Sequence, residues 1–307
     1  MRPMLPFGFL AATSSLFQGA MAQEDAGGFV PQARERPPWE TVEITTHHVA
    51  GNIYYLEGEG GNIGLSVGED GIIIIDDQFA PLTEKILAAI RTISSAEIRF
   101  LINTHVHDDH VGGNENFARL GARIIAHENV RVRMTEGIRG NPPSQKGALP
   151  ILTFTESVKL HLNGEEVHVF RVPPAHTDGD AYVYFTESDV LHAGDVFRTN
   201  GYPNIDVGNG GTLQGTLDAL QLTIDMLGPD TKIIPGHGVV STREAVVELR
   251  NVALEVLERV SRLVEAGMTL QEVIEARPTA DLDARWGERW DRLLPGVYYA
   301  VTGEAPD

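Results

Sequence analysis

The chain has 307 residues, 42% of them hydrophobic and 22% charged, enough for one large domain or two ordinary ones. Its formal charge of −19 argues against nucleic acid and anionic membranes as partners, since both are bound through basic patches. The absence of cysteine excludes disulfides, thiolate metal ligands and a cysteine nucleophile together.

Arg2 is the only charge before Glu24, an apolar stretch covers residues 5–17, and Ala20-Met21-Ala22 has the small-x-small pattern of a cleavage site. Residues 1–22 are therefore expected to be a signal peptide, which implies a periplasmic or secreted protein. Beyond it, no uninterrupted apolar stretch is long enough to cross a bilayer. Residues 23–40, rich in Gly, Pro and charge, read as a flexible lead-in. Residues 41–307 read as the folded domain with a C-terminal helical extension.

Short strands are predicted at 42–45, 53–56, 61–67 and 71–75, separated by glycine-rich turns. The last contains four consecutive isoleucines, which suits a strand covered on both faces, and it ends in Asp76-Asp77. Leu82, Ile86, Leu87, Ile90 and Ile93 have helical spacing over 81–93. A strand follows at 98–102, then the polar stretch Thr104-His105-Val106-His107-Asp108-Asp109-His110. Short helices are expected at 114–120 and 128–134 around a strand at 123–126, and then a loop over 137–150. Asn163-Gly164 predicts a hairpin between strands at 158–162 and 167–172. Further strands are expected at 182–185, 190–192 and 232–234, with a glycine-rich loop over 199–211 and a helix over 213–227. Ser241 and Glu244 have capping-box spacing at the start of a long helix running to about residue 266. Trp286 and Trp290, four apart, are expected to share one helix face as packing anchors. Strands then helices, twice over, imply sheets flanked by helices, with polar loops along one edge.

The chemistry concentrates on those loops. Three His and two Asp within six positions, on the loop leaving a buried strand, offer the imidazole and carboxylate ligands that zinc takes. His176, Asp195 and His237 each follow a predicted strand in the same way. Seven such residues can make two coordination shells that share one carboxylate. His192, within a predicted strand, reads as a packed or hydrogen-bonded histidine.

With these residues the chain resembles the metallo-β-lactamase superfamily, from about Ile53 to Val239, through its H-x-H-x-D-H motif and downstream His, Asp and His. The resemblance implies an α/β, four-layered αββα sandwich and two zinc ions as cofactors. It implies that His105, His107 and His176 hold the first ion and that Asp109, His110 and His237 hold the second, with Asp195 as bridge. Asp76, ending an early strand, is expected to support the metal loop from behind, and Thr104 likewise. Two zinc ions about 3.5–4 Å apart can share a hydroxide that attacks a carbonyl or phosphoryl centre. Asp109 then serves as ligand and proton carrier, and Asp195 as bridging carboxylate.

The expected export, and the lack of an obvious added domain, favour opening of the β-lactam amide in antibiotics, with a small-molecule substrate and neither nucleic acid nor membrane as partner. Against this, the cysteine-containing β-lactamases have Cys where this chain has Asp195. A bridging Asp is the pattern of glyoxalase-II-like thioesterases, lactonases and phosphodiesterases, which stand as the alternative. A non-catalytic metal-binding protein is a further class. Arg198 matches the offset of a lysine that grips the substrate carboxylate in the cysteine-containing enzymes. Asn209 is a candidate for stabilising an oxyanion.

Overall fold

Twelve strands form two sheets in the computed structural model, which describes residues 36–137 and 142–304. The expected signal peptide, residues 1–22, lies outside the described residues. The first sheet runs in sequence order: β1 Thr45–Ala50, β2 Ile53–Glu57, β3 Ile63–Gly68, β4 Gly71–Ile75, β5 Ile98–Ile102, β6 Arg123–His127 and β7 Leu152–Phe154. The second holds β8 Ser157–Leu162, β9 Glu165–Arg171, β10 Ala181–Phe185, β11 Val190–His192 and β12 Lys232–Ile234, in the order β12-β11-β10-β9-β8. The helices are α1 Thr83–Ile93, α2 Asp108–Val111, α3 Asn114–Arg119, α4 Glu128–Glu136, α5 Leu213–Met226, α6 Arg243–Glu265, α7 Leu270–Ala276, α8 Asp283–Trp286 and α9 Leu294–Thr302. None is long and apolar enough to cross a membrane.

The isoleucines of β4 explain the layering. Successive strand residues face opposite ways. Ile73 and Ile75 enter the core between the sheets, with Val167, Val169, Val183, Phe185 and Ile234. Ile72 and Ile74 face outward and pack with Ile86 and Ile90 of α1 and Phe117 of α3. On the far side, the Tyr182 hydroxyl lies 2.8 Å from Thr223 Oγ1 of α5, and α5, α6 and α9 pack in turn on one another. The order is helices, sheet, sheet, helices, as expected. At the Asn163-Gly164 turn both residues take positive φ, 58° and 75°, and the hairpin β8–β9 closes there.

Several expected elements move. The strand expected at 42–45 begins at Thr45, because the chain first packs onto the core: Val42 is buried, and Trp39 lies 5.1 Å from Phe79. Lys85 Nζ donates to the carbonyls of Trp39, Glu40 and Val42. The end of the expected flexible lead-in, residues 36–40, is thus held on the domain. β7, a three-residue edge strand, lies just past the expected loop and carried too little pattern to be read. Ser241–Glu244 makes no capping box: Thr242 is the N-cap of α6, and its hydroxyl donates to Glu244 Oε2. The capping box forms instead at Thr269 and Glu272, opening α7. Trp286 and Trp290 do not share a helix, because Gly287, at φ 75°, ends α8 between them. Trp286 stacks on Tyr202 at 6.2 Å.

Strand direction places the loops. β4, β5 and β6 are parallel, so their C-terminal ends share one edge. β9 and β11 are each antiparallel to β10, and β12 is parallel to β11, so these three also end together. The two edges are joined by backbone hydrogen bonds, Asn62 N–H to Gly236 O at 2.7 Å and Ala181 N–H to Thr104 O at 2.8 Å. Loops at strand C-terminal ends are where open α/β sheets carry ligands.

Because β4 is covered on both faces, Ile73→Ala and Ile74→Ala are each expected to cost about 2–5 kcal/mol in denaturant unfolding. A strand with one wet face would show that loss at only one of the two.

Candidate metal centre

Seven histidines and aspartates converge where the two sets of loops meet. β4 ends in Asp76, which turns through φ 61°, a left-handed conformation that Asp tolerates better than bulkier residues. β5 leads into Thr104, His105 and His107, and the single turn of α2 carries Asp109 and His110. His176 follows β9, Asp195 follows β11 and His237 follows β12.

Three groups of side chains lie close enough to share an ion: His105, His107 and His176; Asp109, His110 and His237; and Asp76, His105 and His110. Asp195 joins the first two. Its Oδ1 is 3.2 Å from His110 Nε2 and 3.3 Å from His237 Nε2, and its Oδ2 is 3.7 Å from His176 Nε2. Asp76 differs, because its oxygens are already occupied. They accept the Thr104 N–H at 2.8 Å, the Thr104 hydroxyl at 2.7 Å and His110 Nδ1–H at 2.7 Å. Asp76 therefore supports the loop from behind.

The outer hydrogen bonds fix which ring nitrogen keeps its lone pair. His176 Nδ1 is 2.6 Å from the Asn204 carbonyl, an acceptor only, so Nδ1 carries the proton and Nε2 is bare. His107 Nε2 donates to Asp206 Oδ2 at 2.6 Å, so its Nδ1 is bare. These two bare nitrogens face each other at 2.8 Å. The single Thr104 hydroxyl proton goes to Asp76, so Thr104 Oγ1 accepts from His105 Nδ1 at 3.0 Å and leaves His105 Nε2 bare. His110, donating through Nδ1 to Asp76, turns Nε2 inward. His105 Nε2, His110 Nε2 and Asp195 Oδ1 are buried and make no hydrogen bond. Lone pairs converging in a buried space repel unless a cation lies between them. The donor set fits a divalent metal held by imidazole and carboxylate.

The electrostatics agree. Burial lowers the His105 pKa well below its ordinary value and takes His176 down to about 3, so both are neutral. At His110 burial acts the same way, but Asp76, Asp109 and Asp195 outweigh it and hold the imidazolium well above its usual range. Burial opposes ionisation at Asp109 and Asp195, yet the neighbouring His110 and His237 keep both pKa values well below the usual carboxylate range. Positive charge is favoured among these groups, and a metal cation answers that demand as well as a proton does.

Two glycines make room. A Cβ on Gly61 would stand 2.1 Å from His110 Cε1, and one on Gly236 would stand 2.0 Å from Asp195 Oδ1.

The remaining sequence candidates separate. Arg198 lies beside the centre, its backbone bridged to that of His237, with Nε donating to Asn200 Oδ1 at 3.1 Å. Asn209 is buried in the glycine-rich loop. Its Nδ2 donates to Asp206 Oδ2 at 2.6 Å and its Oδ1 accepts from Arg133 at 3.3 Å, so it braces the aspartate that holds His107. His192 is buried in β11, with Nε2 donating to the Asn62 carbonyl at 3.1 Å and Nδ1 accepting from Gly194 N–H. Sequence reading missed Asp206 and Asn204, which lie in the glycine-rich loop with no motif around them. It also missed Asp180, whose carboxylate accepts the backbone N–H groups of His176 and Thr177 and the Thr177 hydroxyl. The Thr177-x-x-Asp180 spacing was a turn signal that could have marked it.

Comparison with known proteins gives the same architecture. Among curated relatives, a hydroxyacylglutathione hydrolase from Rhodospirillum rubrum is 29% identical over 157 residues, 51% of this chain and 54% of that protein. One from Synechococcus sp. is 31% identical over 126 residues, 41% and 45% of the two chains. The chain thus spans about half the length of the curated relatives it matches. Among solved structures, a metallo-beta-lactamase from Pontibacter korlensis superposes with a TM-score of 0.59 at 18% identity, covering 68% of this chain and 98% of that one. A double mutant of the sec-alkyl sulfatase PisA1 gives 0.64 at 15% identity, covering 85% and 50%. The model of the metallo-beta-lactamase superfamily matches residues 48–238, and the chain belongs to that family of metal-binding hydrolases.

Proposed function

We propose that the chain is a dinuclear zinc hydrolase whose substrate is a thioester. Asp195 carries this reading: a carboxylate, rather than a thiolate, stands between the two histidine groups, 3.2 Å from His110 and 3.7 Å from His176. His105, His107 and His176 would hold one ion and Asp109, His110 and His237 the other, with the Asp195 carboxylate shared between the two groups. The curated relatives, named hydroxyacylglutathione hydrolases, support a thioester over the β-lactam amide. The β-lactamase structures, at 18% identity, support the fold alone. The thioester therefore replaces the β-lactam as the main reading.

Divalent cations at this centre supply Lewis acidity, which acidifies water and polarises a carbonyl. The chain's own residues set the geometry. Thr104, Asp76, Asn204 and Asp206 hold the imidazoles with their lone pairs inward. Asp109, whose side chain is 29% exposed against 4% for Asp195, is the carboxylate that meets solvent, and it moves protons between the centre and water. A leaving thiolate needs little help from an acid, since its conjugate thiol has a pKa of about 8.5. An amide nitrogen must be protonated to leave.

Reconstituted protein is expected to hold two zinc ions per chain by elemental analysis, and Asp195→Ala to retain about one. Asp206→Ala frees His107 and should weaken zinc binding about 10- to 100-fold in a competitor titration. Unchanged stoichiometry in the first variant would remove the bridge.

In a panel of a hydroxyacylglutathione thioester, a lactone, an aryl phosphodiester, a penicillin and a carbapenem, the thioester is expected to give the highest kcat/KM, by about 10-fold or more. A β-lactam at the top would restore the antibiotic reading.

Export is proposed from Ala20-Met21-Ala22. Terminal sequencing of protein from the native host should begin at Gln23, and a retained Met1 would exclude cleavage.

A further inference from the structure

We propose that Arg133 is a positioning residue for the site of His105, His107 and His176: it fixes the Asn209 amide, and through it the Asp206 carboxylate that orients His107. The proposal rests on the two-metal reading above and not on the choice of substrate.

Arg133 lies in the last turn of α4, which follows β6 of the first sheet. Its guanidinium reaches the loops that follow β9 and β11 in the second. Nε donates to Asp178 Oδ1 at 2.7 Å and Nη2 to Asp178 Oδ2 at 2.6 Å. Nη1 donates to Asn209 Oδ1 at 3.3 Å. The Arg133 and Asp178 side chains are only 24% and 25% exposed, so water screens the pair in part. Gly210, at φ 78°, permits the approach: a Cβ there would stand 2.9 Å from Asp178 Cβ and 3.0 Å from Arg133 Nη2. Asp178 N–H donates to the Asn209 carbonyl at 3.0 Å, and Asn129 of α4 donates to the Asp178 carbonyl at 3.0 Å. Helix and loops are thus tied at one place. Elsewhere on the second loop, Ile205 N–H donates to the Arg292 carbonyl at 3.1 Å, which fastens it to the C-terminal segment.

An amide side chain has one accepting and one donating end, and arginine has donors alone. Arg133 therefore takes Asn209 Oδ1 and leaves Nδ2 turned to Asp206 Oδ2, 2.6 Å away. The flipped amide would set N–H against the guanidinium and a carbonyl oxygen against the carboxylate. Asp206 Oδ2 accepts at once from Asn209 Nδ2 and from His107 Nε2, both at 2.6 Å. The hydrogen bonds to Asp178 raise the Arg133 pKa, burial opposes them, and the charges of Asp178 and Asp206 add to the rise, so the cation is permanent. With Asp178 as its sole partner, Arg133 would brace the fold and nothing more. Its third nitrogen carries the constraint to the histidine.

The test reads zinc affinity and the His107 ring separately. In competitor titrations of full-length protein, Arg133→Met should weaken binding of one of the two zinc ions by about 10-fold, the low end for a partner of a ligand. Asn209→Leu, which leaves the Arg133–Asp178 pair in place, should give a similar loss. In an Asp206→Ala background Arg133→Met should cost nothing further, because the path it acts through is gone. An equal further loss there, or unchanged affinity in either single variant, would overturn the proposal. In metal-free protein, 15N spectra of the histidine rings should place the His107 proton on Nε2 in wild type and show mixed tautomers in Arg133→Met and Asn209→Leu. A ring that keeps one tautomer in both variants leaves Arg133 a structural role only and overturns it as well. If Arg133→Met does not fold, Asn209→Leu decides alone. If wild type binds no zinc, the two-metal reading fails, and the ring spectra alone decide the positioning.

Discussion

A buried imidazole whose outer nitrogen is bound to an acceptor has one place left for its lone pair. Four histidines obey that constraint. Thr104 orients His105, Asp206 orients His107, Asp76 orients His110 and the Asn204 carbonyl orients His176. Each outer bond turns a bare nitrogen toward the same space, where His107 Nδ1 and His176 Nε2 stand 2.8 Å apart. Without those partners each ring could rotate or change tautomer, and the inward set would be lost. Asp76 does the most, since one carboxylate fixes the Thr104 backbone, the Thr104 hydroxyl and His110 together.

The fold exists to bring these partners together. Six strands deliver their C-terminal ends to one edge, and backbone hydrogen bonds from Asn62 to Gly236 and from Ala181 to Thr104 lock the two sheets there. Gly61 and Gly236 let that edge close without a side chain between His110 and Asp195. The C-terminal helices then cover the outer face of the second sheet, and their connecting segment reaches the loop that holds Asn204 and Asp206. The ancillary segment thus touches the centre through the residues that orient its histidines.

Much of this was legible in the sequence. The isoleucine run predicted a strand covered on both faces, and Asn163-Gly164 predicted its hairpin. The density of His and Asp over 105–110 pointed to a loop that could hold metal, and the structure gathers those side chains with His176 and His237. What stayed hidden was non-local or weakly patterned. Asp206 and Asn204 act on histidines 99 and 28 residues away, and no local spacing encodes such pairings. Asn209 was expected as a donor toward substrate, and its Nδ2 donates to Asp206, three residues before it. Trp286 and Trp290 fitted a helical period, but Gly287 breaks the helix between them. The capping spacing at Ser241 lost to Thr242, whose hydroxyl bonds its neighbour's carboxylate instead.

The central claim is that the inward nitrogens and Asp195 enclose two cations. Anomalous scattering at the zinc edge, from crystals grown with zinc, tests it most directly. Two peaks are expected, about 3.5–4 Å apart, one among His105, His107 and His176 and the other among Asp109, His110 and His237, with Asp195 between them. A single peak, or zinc bound elsewhere while these side chains keep their positions, would contradict it.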